Sequence, residues 1–230
     1  MAEEKKSILN IEEMNLAGLH FGHAVSKLHP KMKLYISGTK NNVHVFDLEK
    51  TAIEFERALK FISKIISEGK ILLLVGTKIQ MKQMSKVVAM DCLMPYVTER
   101  WLGGTFTNFD TISKRVQYFK DLENKKLNGE LAKYTKKEQL MFDRELESLR
   151  KKFEGIKHMV KLPDAVLILD MKKDIAVARE ARRKGITIIG VADTNIDPTL
   201  ADYLIPANDD AISSIKYILE KVKETILSSK

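Results

Sequence analysis

Apolar residues in this chain fall into two patterns, short unbroken runs and longer stripes that recur every three or four positions. The runs cover residues 43–47, 71–76, 165–170 and 186–191, bounded by turn formers or carboxylates. They are nearly continuous rather than alternating, as strands buried on both faces are. Residues 203–206 make a shorter run closed by Pro206. The stripes lie between the runs. Phe55, Leu59, Ile62 and Ile66 share one helical face, with Asp47 placed to cap it and Gly69 just past its end. Ile175, Ala178 and Ala181 form a second stripe that stops at Gly185. Ile215, Leu219, Val222 and Ile226 form a third, opened by Asn208-Asp209-Asp210, where Asp209 or Asp210 is expected to cap the helix. Strands alternating with helices predict a doubly wound α/β domain, a parallel sheet covered on both faces.

Residues 109–155 break this alternation. They carry dense charge of both signs and two narrow stripes, Ile112-Val116-Phe119 and Leu146-Leu149-Phe153-Ile156. Asn128-Gly129 marks a turn between them, and Thr135 with Glu138 matches a capping box that opens the second arm. The pattern predicts a helical hairpin, residues 109–155, projecting from an α/β sheet domain made of residues 1–108 and 156–230. A stripe this narrow buries one seam, so the rest of the hairpin is expected to face solvent or a partner.

Composition narrows the partners. The chain has 230 residues, 44% of them apolar, and a formal net charge of +8. That balance favours acidic partners, nucleic acid among them. Cys92 is the single cysteine, so no intramolecular disulfide forms and a reducing compartment is expected. The opening residues Met1 to Lys6 lack the apolar stretch of a secretory signal, and no apolar run approaches the ~20 residues that span a bilayer. A cytoplasmic protein without membrane partners is the expectation.

Four places carry candidate chemistry. Arg100 to Phe109 holds the only tryptophan, a glycine pair, and an arginine whose forked donors suit phosphate; it reads equally as a contact segment and as a buried turn whose aromatics fill core. Gly76-Thr77-Lys78 follows a buried run and precedes a helical stretch, but it has only half of a Walker loop; a tight strand-to-helix turn is the better reading, with RNA backbone as an alternative ligand. Asp170 and Asp193 both end buried runs, where ligands of open α/β sheets sit. No nucleophile or general base accompanies them in sequence. His20 and His23 offer two imidazoles, read first as hydrogen-bonded structural or RNA-contacting residues, so that no cofactor is expected; the alternative is His23 with Asp193 and Asp209 as a candidate set for zinc, or for magnesium through carboxylates alone. The basic segment carrying Lys27, Lys31 and Lys33, with Lys40 beyond it, interleaves cations with Tyr35 in the manner of RNA-contacting loops.

These motifs together resemble the family of the second protein of the small ribosomal subunit, in its bacterial or organellar form. Ala17 to His23 followed by Pro30-Lys31-Met32 is similar to its N-terminal signature, and Arg100 to Gly104 with Thr107-Asn108-Phe109 to its central one. Leu162-Pro163-Asp164, Asp193 to Pro198 and Ile205 to Ala211 are similar to its C-terminal motifs. Leu28-His29 stands where the family usually shows tryptophan and a polar residue. The resemblance implies a flavodoxin-like sheet domain with a protruding coiled-coil hairpin. It also implies a non-catalytic role: binding small-subunit ribosomal RNA at the junction of head and body, beside neighbouring small-subunit proteins and, in many bacteria, recruiting the messenger-binding protein one. The residues expected at RNA are His20, Lys27, Lys31, Lys33, Lys40, Arg100, Trp101, Asn108, Lys114 and Arg115. A nucleotide-binding α/β enzyme, using Gly76-Thr77-Lys78 and the strand-end aspartates, is the competing class.

Overall fold

Four of the five apolar runs become strands of one parallel sheet. The computed structural model describes residues 9–230, so the opening residues read above as lacking a signal lie outside it. The sheet consists of β4 (Leu72–Val75), β5 (Tyr96–Val97), β6 (Ala165–Ile168), β7 (Thr187–Ala192) and β8 (Tyr203–Pro206), in the order β5-β4-β6-β7-β8. Every neighbouring pair is parallel, with Leu72 opposite Ala165, Ala165 opposite Thr187 and Ile189 opposite Tyr203. Renumbered within the sheet this is the flavodoxin-like order 2-1-3-4-5, whose switch point falls between β4 and β6. Both strands at that point are buried along their whole length, which is why they read as unbroken apolar runs.

Helices cover the two faces. On one side α2 (Leu48–Ser67), α3 (Lys82–Asp91) and α7 (Ile212–Ser228) pack Phe55, Leu59, Ile62, Ala89, Ile215 and Val222 against Leu72, Leu74, Leu167 and Ile189. The opposite face, with Leu73, Val75, Val166 and Ile168, takes α6 (Ile175–Lys184) and the hairpin helices α4 (Phe109–Leu127) and α5 (Lys136–Phe153). The local signals for these helices hold. Asp47 accepts from the Glu49 and Lys50 amides at the start of α2, and Gly185 closes α6 in the left-handed region at φ 69°. The Thr135–Glu138 capping box is formed in both directions. Among the described residues no helix is long and apolar enough to cross a membrane.

Residues 43–47 depart from expectation. Val43–Phe46 is β3 of a separate antiparallel sheet, flanked by β1 (Phe21–Ala24) and β2 (Ile36–Lys40) in the order β1-β3-β2. Its residues alternate between half-buried and buried, because only one face of this small sheet meets the core. The short α1 (Ile11–Leu16) precedes it. Three other strands carried no usable signal: β1 has no buried residue, β2 exposes four of its five residues, and β5 is two residues long.

The hairpin helices run antiparallel. Gly129 makes the turn at φ 73°, and Lys126–Asp143 at 2.6 Å and Arg150–Glu123 at 2.9 Å tie the arms. Val116, Phe119 and Leu122 face Leu146, Leu149 and Phe153 inside the same apolar cluster that includes the sheet residues Leu73 and Val166.

Candidate functional site

The loops that follow the parallel strands converge, as the topology demands, on one polar ring. β4 delivers Lys78, β6 Asp170, β7 Asp193, and β8 Asp209 with Asp210; β1 adds His23 from the small sheet. The Lys78 ammonium sits at its centre, 2.7 Å from Asp210 Oδ1, 3.0 Å from Asp170 Oδ2 and 3.2 Å from Asp209 Oδ1. It also donates to the Asp209 carbonyl at 2.9 Å. Asp170, Asp193 and Asp209 are buried, at 4%, 1% and 3% exposure, so their charges need partners inside the protein.

The ring is short of positive charge. Burial opposes the charge on Lys78, yet the bond to Asp210 and the charges of Asp209 and Asp170 hold its ammonium well above the usual lysine range. Asp209 is pushed up to about 7, first by burial and then by the charges of Asp170 and Asp193. Asp210, more open, is held below the usual range chiefly by its bond to Lys78. His23 donates from Nδ1 to Asp193 Oδ2 at 2.8 Å, and this bond is the main reason its pKa is raised. The same contact leaves Nε2 facing Asp210 at 3.5 Å. Ligand atoms of His23, Asp193, Asp209 and Asp210 all lie within 4.8 Å of one another. His23, Asp209 and Asp210 line a cleft of about 170 Å³ together with Asn195, whose Oδ1 is buried without a hydrogen-bond partner among the described residues.

Sequence motifs around the ring acquire plain causes. A Cβ on Gly22 would stand 2.6 Å from Thr194 Cγ2 and 3.2 Å from the His44 carbonyl, so only glycine lets β1 press against the turn after β7. The contact is completed by the His23 amide, which donates to Thr194 Oγ1 at 3.0 Å. Gly76 is glycine for a similar reason, since a Cβ there would meet Ser85 Oγ at 2.7 Å and Leu169 Cδ1 at 2.9 Å. Gly76-Thr77-Lys78 is therefore a packing turn and not a phosphate cradle: its lysine is committed to carboxylates and Thr77 Oγ1 to Asp174 at 2.8 Å. The helix beyond it begins at Lys82, later than the apolar pattern indicated. Neither Asp209 nor Asp210 caps α7. Asn208 Oδ1 accepts from the Asp210 and Ala211 amides at 2.8 and 3.1 Å, because Lys78 draws both aspartates toward the ring.

The segment from Arg100 to Phe109 folds onto α6, and the residue that holds it escaped sequence reasoning. Glu180 accepts from Trp101 Nε1 at 3.1 Å, from the amides of Gly104, Phe106 and Thr107 at 2.9, 3.0 and 3.2 Å, and from Thr107 Oγ1 at 3.3 Å. Burial alone would raise this carboxyl; the loop donors outweigh it and hold the pKa below the usual range. The available signal was a lone carboxylate among the arginines of α6, on the flank of its buried stripe. Trp101 lies largely in the core, 8% exposed and edge-on to Phe106.

The remaining residues expected at RNA divide by environment. Lys27, Lys33, Lys40, Arg100, Lys114 and Arg115 are exposed, with neither hydrogen bond nor ion pair among the described residues. Lys31 is exposed but tied to Asp197 at 2.8 Å and to Thr199 at 3.2 Å, a bond that holds Asp197 well below the carboxylate range. His20 is half-buried against Phe21, its pKa lowered by burial and by Lys40. Asn108 is exposed and accepts from Thr111 Oγ1 at 2.9 Å. A cleft of about 600 Å³ lies away from all of these, at Ile71, Met90, Leu93, Tyr96, His158 and Met159.

With this geometry in place, comparison with known proteins gives a consistent match. Residues 14–229 fit the family described as Ribosomal protein S2. A small ribosomal subunit protein uS2 from Dictyoglomus thermophilum is 46% identical over 214 residues, covering 93% of this chain and 87% of that protein. The uS2 protein of Chlorobaculum tepidum is also 46% identical, over 220 residues, covering 96% of this chain and 88% of its own. A protein named uS2c from Rhodomonas salina is 45% identical over 96% of this chain and 90% of its own length.

Proposed function

Because the chain belongs to the ribosomal protein S2 family, we propose that it is a structural, non-catalytic constituent of the small ribosomal subunit. It binds small-subunit ribosomal RNA at the junction of head and body, packs beside neighbouring small-subunit proteins, and supports recruitment of the messenger-binding protein one. The observation that carries this function is the family match across residues 14–229. The exposed, unpaired cations Lys27, Lys33, Lys40, Arg100, Lys114 and Arg115 support the RNA contact, since phosphate neutralisation supplies most of the affinity of such proteins. A nucleotide-binding enzyme fits less well, because the lysine it would need is held by Asp170, Asp209 and Asp210. Equilibrium binding of the purified chain to small-subunit ribosomal RNA, with nucleoside triphosphates as a parallel ligand, tests the choice. RNA binding that weakens steeply with salt, without measurable nucleotide binding, is expected; the reverse pattern overturns the proposal.

The acidic ring adds a cation site to this function. His23 Nε2, Asp209 and Asp210 hold the ion, and Asp193 orients the imidazole through Nδ1, an arrangement familiar from zinc-bound histidines. The mixture of nitrogen and carboxylate donors favours zinc over magnesium. Elemental analysis after dialysis without chelator is expected to find about one zinc per chain, in line with a single three-donor site, and none in His23→Ala. A metal-free parent chain ends the idea.

A further inference from the structure

Resting on the RNA-binding reading above, we propose that the exposed cations of α6, namely Arg179, Arg183 and Lys184, join Arg100, Lys114 and Arg115 in one surface that grips the phosphate backbone of ribosomal RNA. No sequence motif marks the α6 residues; the Glu180 clasp holds the loop after Arg100 against α6, and α4, with Lys114 and Arg115, leaves from that loop. Trp101, Gly104, Phe106 and Thr107 are all bonded to Glu180, so the loop that carries Arg100 and opens α4 is fixed over α6 itself.

Helix geometry then orders the cations. With about 100° of turn per residue, Arg179 and Arg183 lie one turn apart on one flank of Glu180, and Lys184 follows on the other flank. A rise of about 1.5 Å per residue separates Arg179 and Arg183 by about 6 Å along the axis, a spacing close to that of successive phosphates on one strand. Each guanidinium presents a planar fork matched to phosphate oxygens. All six cations are exposed and free of hydrogen-bond and ion-pair partners among the described residues. Arg182 is not part of the set, because its Nη2 donates to the Thr199 carbonyl at 2.6 Å. The carboxylate closest to them in α6, Glu180, is buried and saturated by the loop donors. Asp110, in the first turn of α4, is the exposed acid beside the surface. Cations in the last turn of a helix also stabilise its carbonyl end. That role fits Arg183 and Lys184 but not Arg179, which stands in the middle of α6.

The test is binding of the full chain to small-subunit ribosomal RNA over a salt series, with the unfolding temperature measured in parallel. Log affinity falls with log salt by roughly 0.7 to 0.9 per phosphate contact. Arg179→Ala with Arg183→Ala is expected to flatten the slope by about 1.4 to 1.8 units, and Arg179→Ala alone by about half as much, with its unfolding temperature unchanged. Variants that keep the parent slope overturn the inference, whether or not they unfold earlier. A parent chain that does not bind the RNA overturns the underlying function as well, so the two failures are distinct.

Discussion

Glu180 and Gly155 show how much of this molecule depends on single side chains placed where no motif would look. The Glu180 carboxylate takes five hydrogen bonds from the loop at Arg100 to Phe109. Replacing it by glutamine turns an amide N–H₂ toward these donors, which is expected to cost about 1–3 kcal/mol at neutral pH. The sign with pH follows from its depressed pKa. The stabilisation is complete above the unfolded value, about 4.3, and is lost as pH falls through the lower folded value. Thermal unfolding of parent and Glu180→Gln should therefore differ at pH 7 and converge in acid; a gap that widens in acid contradicts the assignment. Gly155 makes a different demand. A Cβ there would stand 2.1 Å from the Tyr96 carbonyl, so Gly155→Ala must push the 3-10 turn Glu154–Ile156, which follows α5, away from β5. Overpacking of this kind costs about 2–3 kcal/mol, a fall of roughly 4–12 °C in Tm for a domain of this size; an unchanged Tm would mean the contact is soft. Neither role could be read in sequence. The partners of Glu180 lie 73 to 79 positions away, and side-chain patterns report on near neighbours along the chain, not on such distant ones.

At the level of elements, legibility followed burial. Strands buried on both faces announced themselves as unbroken apolar runs, and helices with one buried stripe as 3.6-residue periodicity. The signal failed where an element meets the core on one side or barely at all. Val43–Phe46 is a short, largely apolar run like the central strands, yet it pairs antiparallel in the small sheet, because pairing partner is a long-range property that composition does not encode. β5 is held by two register pairs with β4, too short for any periodicity. The hairpin makes a prediction of its own. Phe119, Leu122, Leu146 and Phe153 share one apolar cluster with Leu73 and Val166 of the sheet, whereas the tip between Lys125 and Asp143 contributes Leu131 to the buried set and little else. Replacing residues 125–143 by a short linker should preserve one cooperative unfolding transition. Removing residues 111–152 should expose the sheet face and destabilise the domain severely. Equal tolerance of both deletions, followed by circular dichroism on heating, would show that the hairpin base lies outside the core.

For the whole molecule, topology converts scattered residues into a site. The parallel order puts the ends of β4, β6, β7 and β8 side by side, and the strand-end residues Asp170 and Asp193 fall into one polar ring there. It also allowed Asp209 to approach His23, which the ring realises. What the chain could not reveal is that Lys78 fills the middle of that ring, 131 positions from Asp209. Read in isolation, the same lysine belonged to a tight strand-to-helix turn, with RNA backbone only as an alternative ligand. The surface tells a matching story: the formal charge of +8 is visible in composition, but which cations are free and which are paired, as Lys31 is with Asp197, is decided only by the fold. The central claim is that this chain is a resident part of the small ribosomal subunit. Sedimentation of the tagged, full-length chain from gently lysed cells through a sucrose gradient tests it most directly. The chain is expected to migrate with small subunits and to stay there at moderate salt. Recovery of the chain at the top of the gradient, with the small subunits lacking it, would contradict the account.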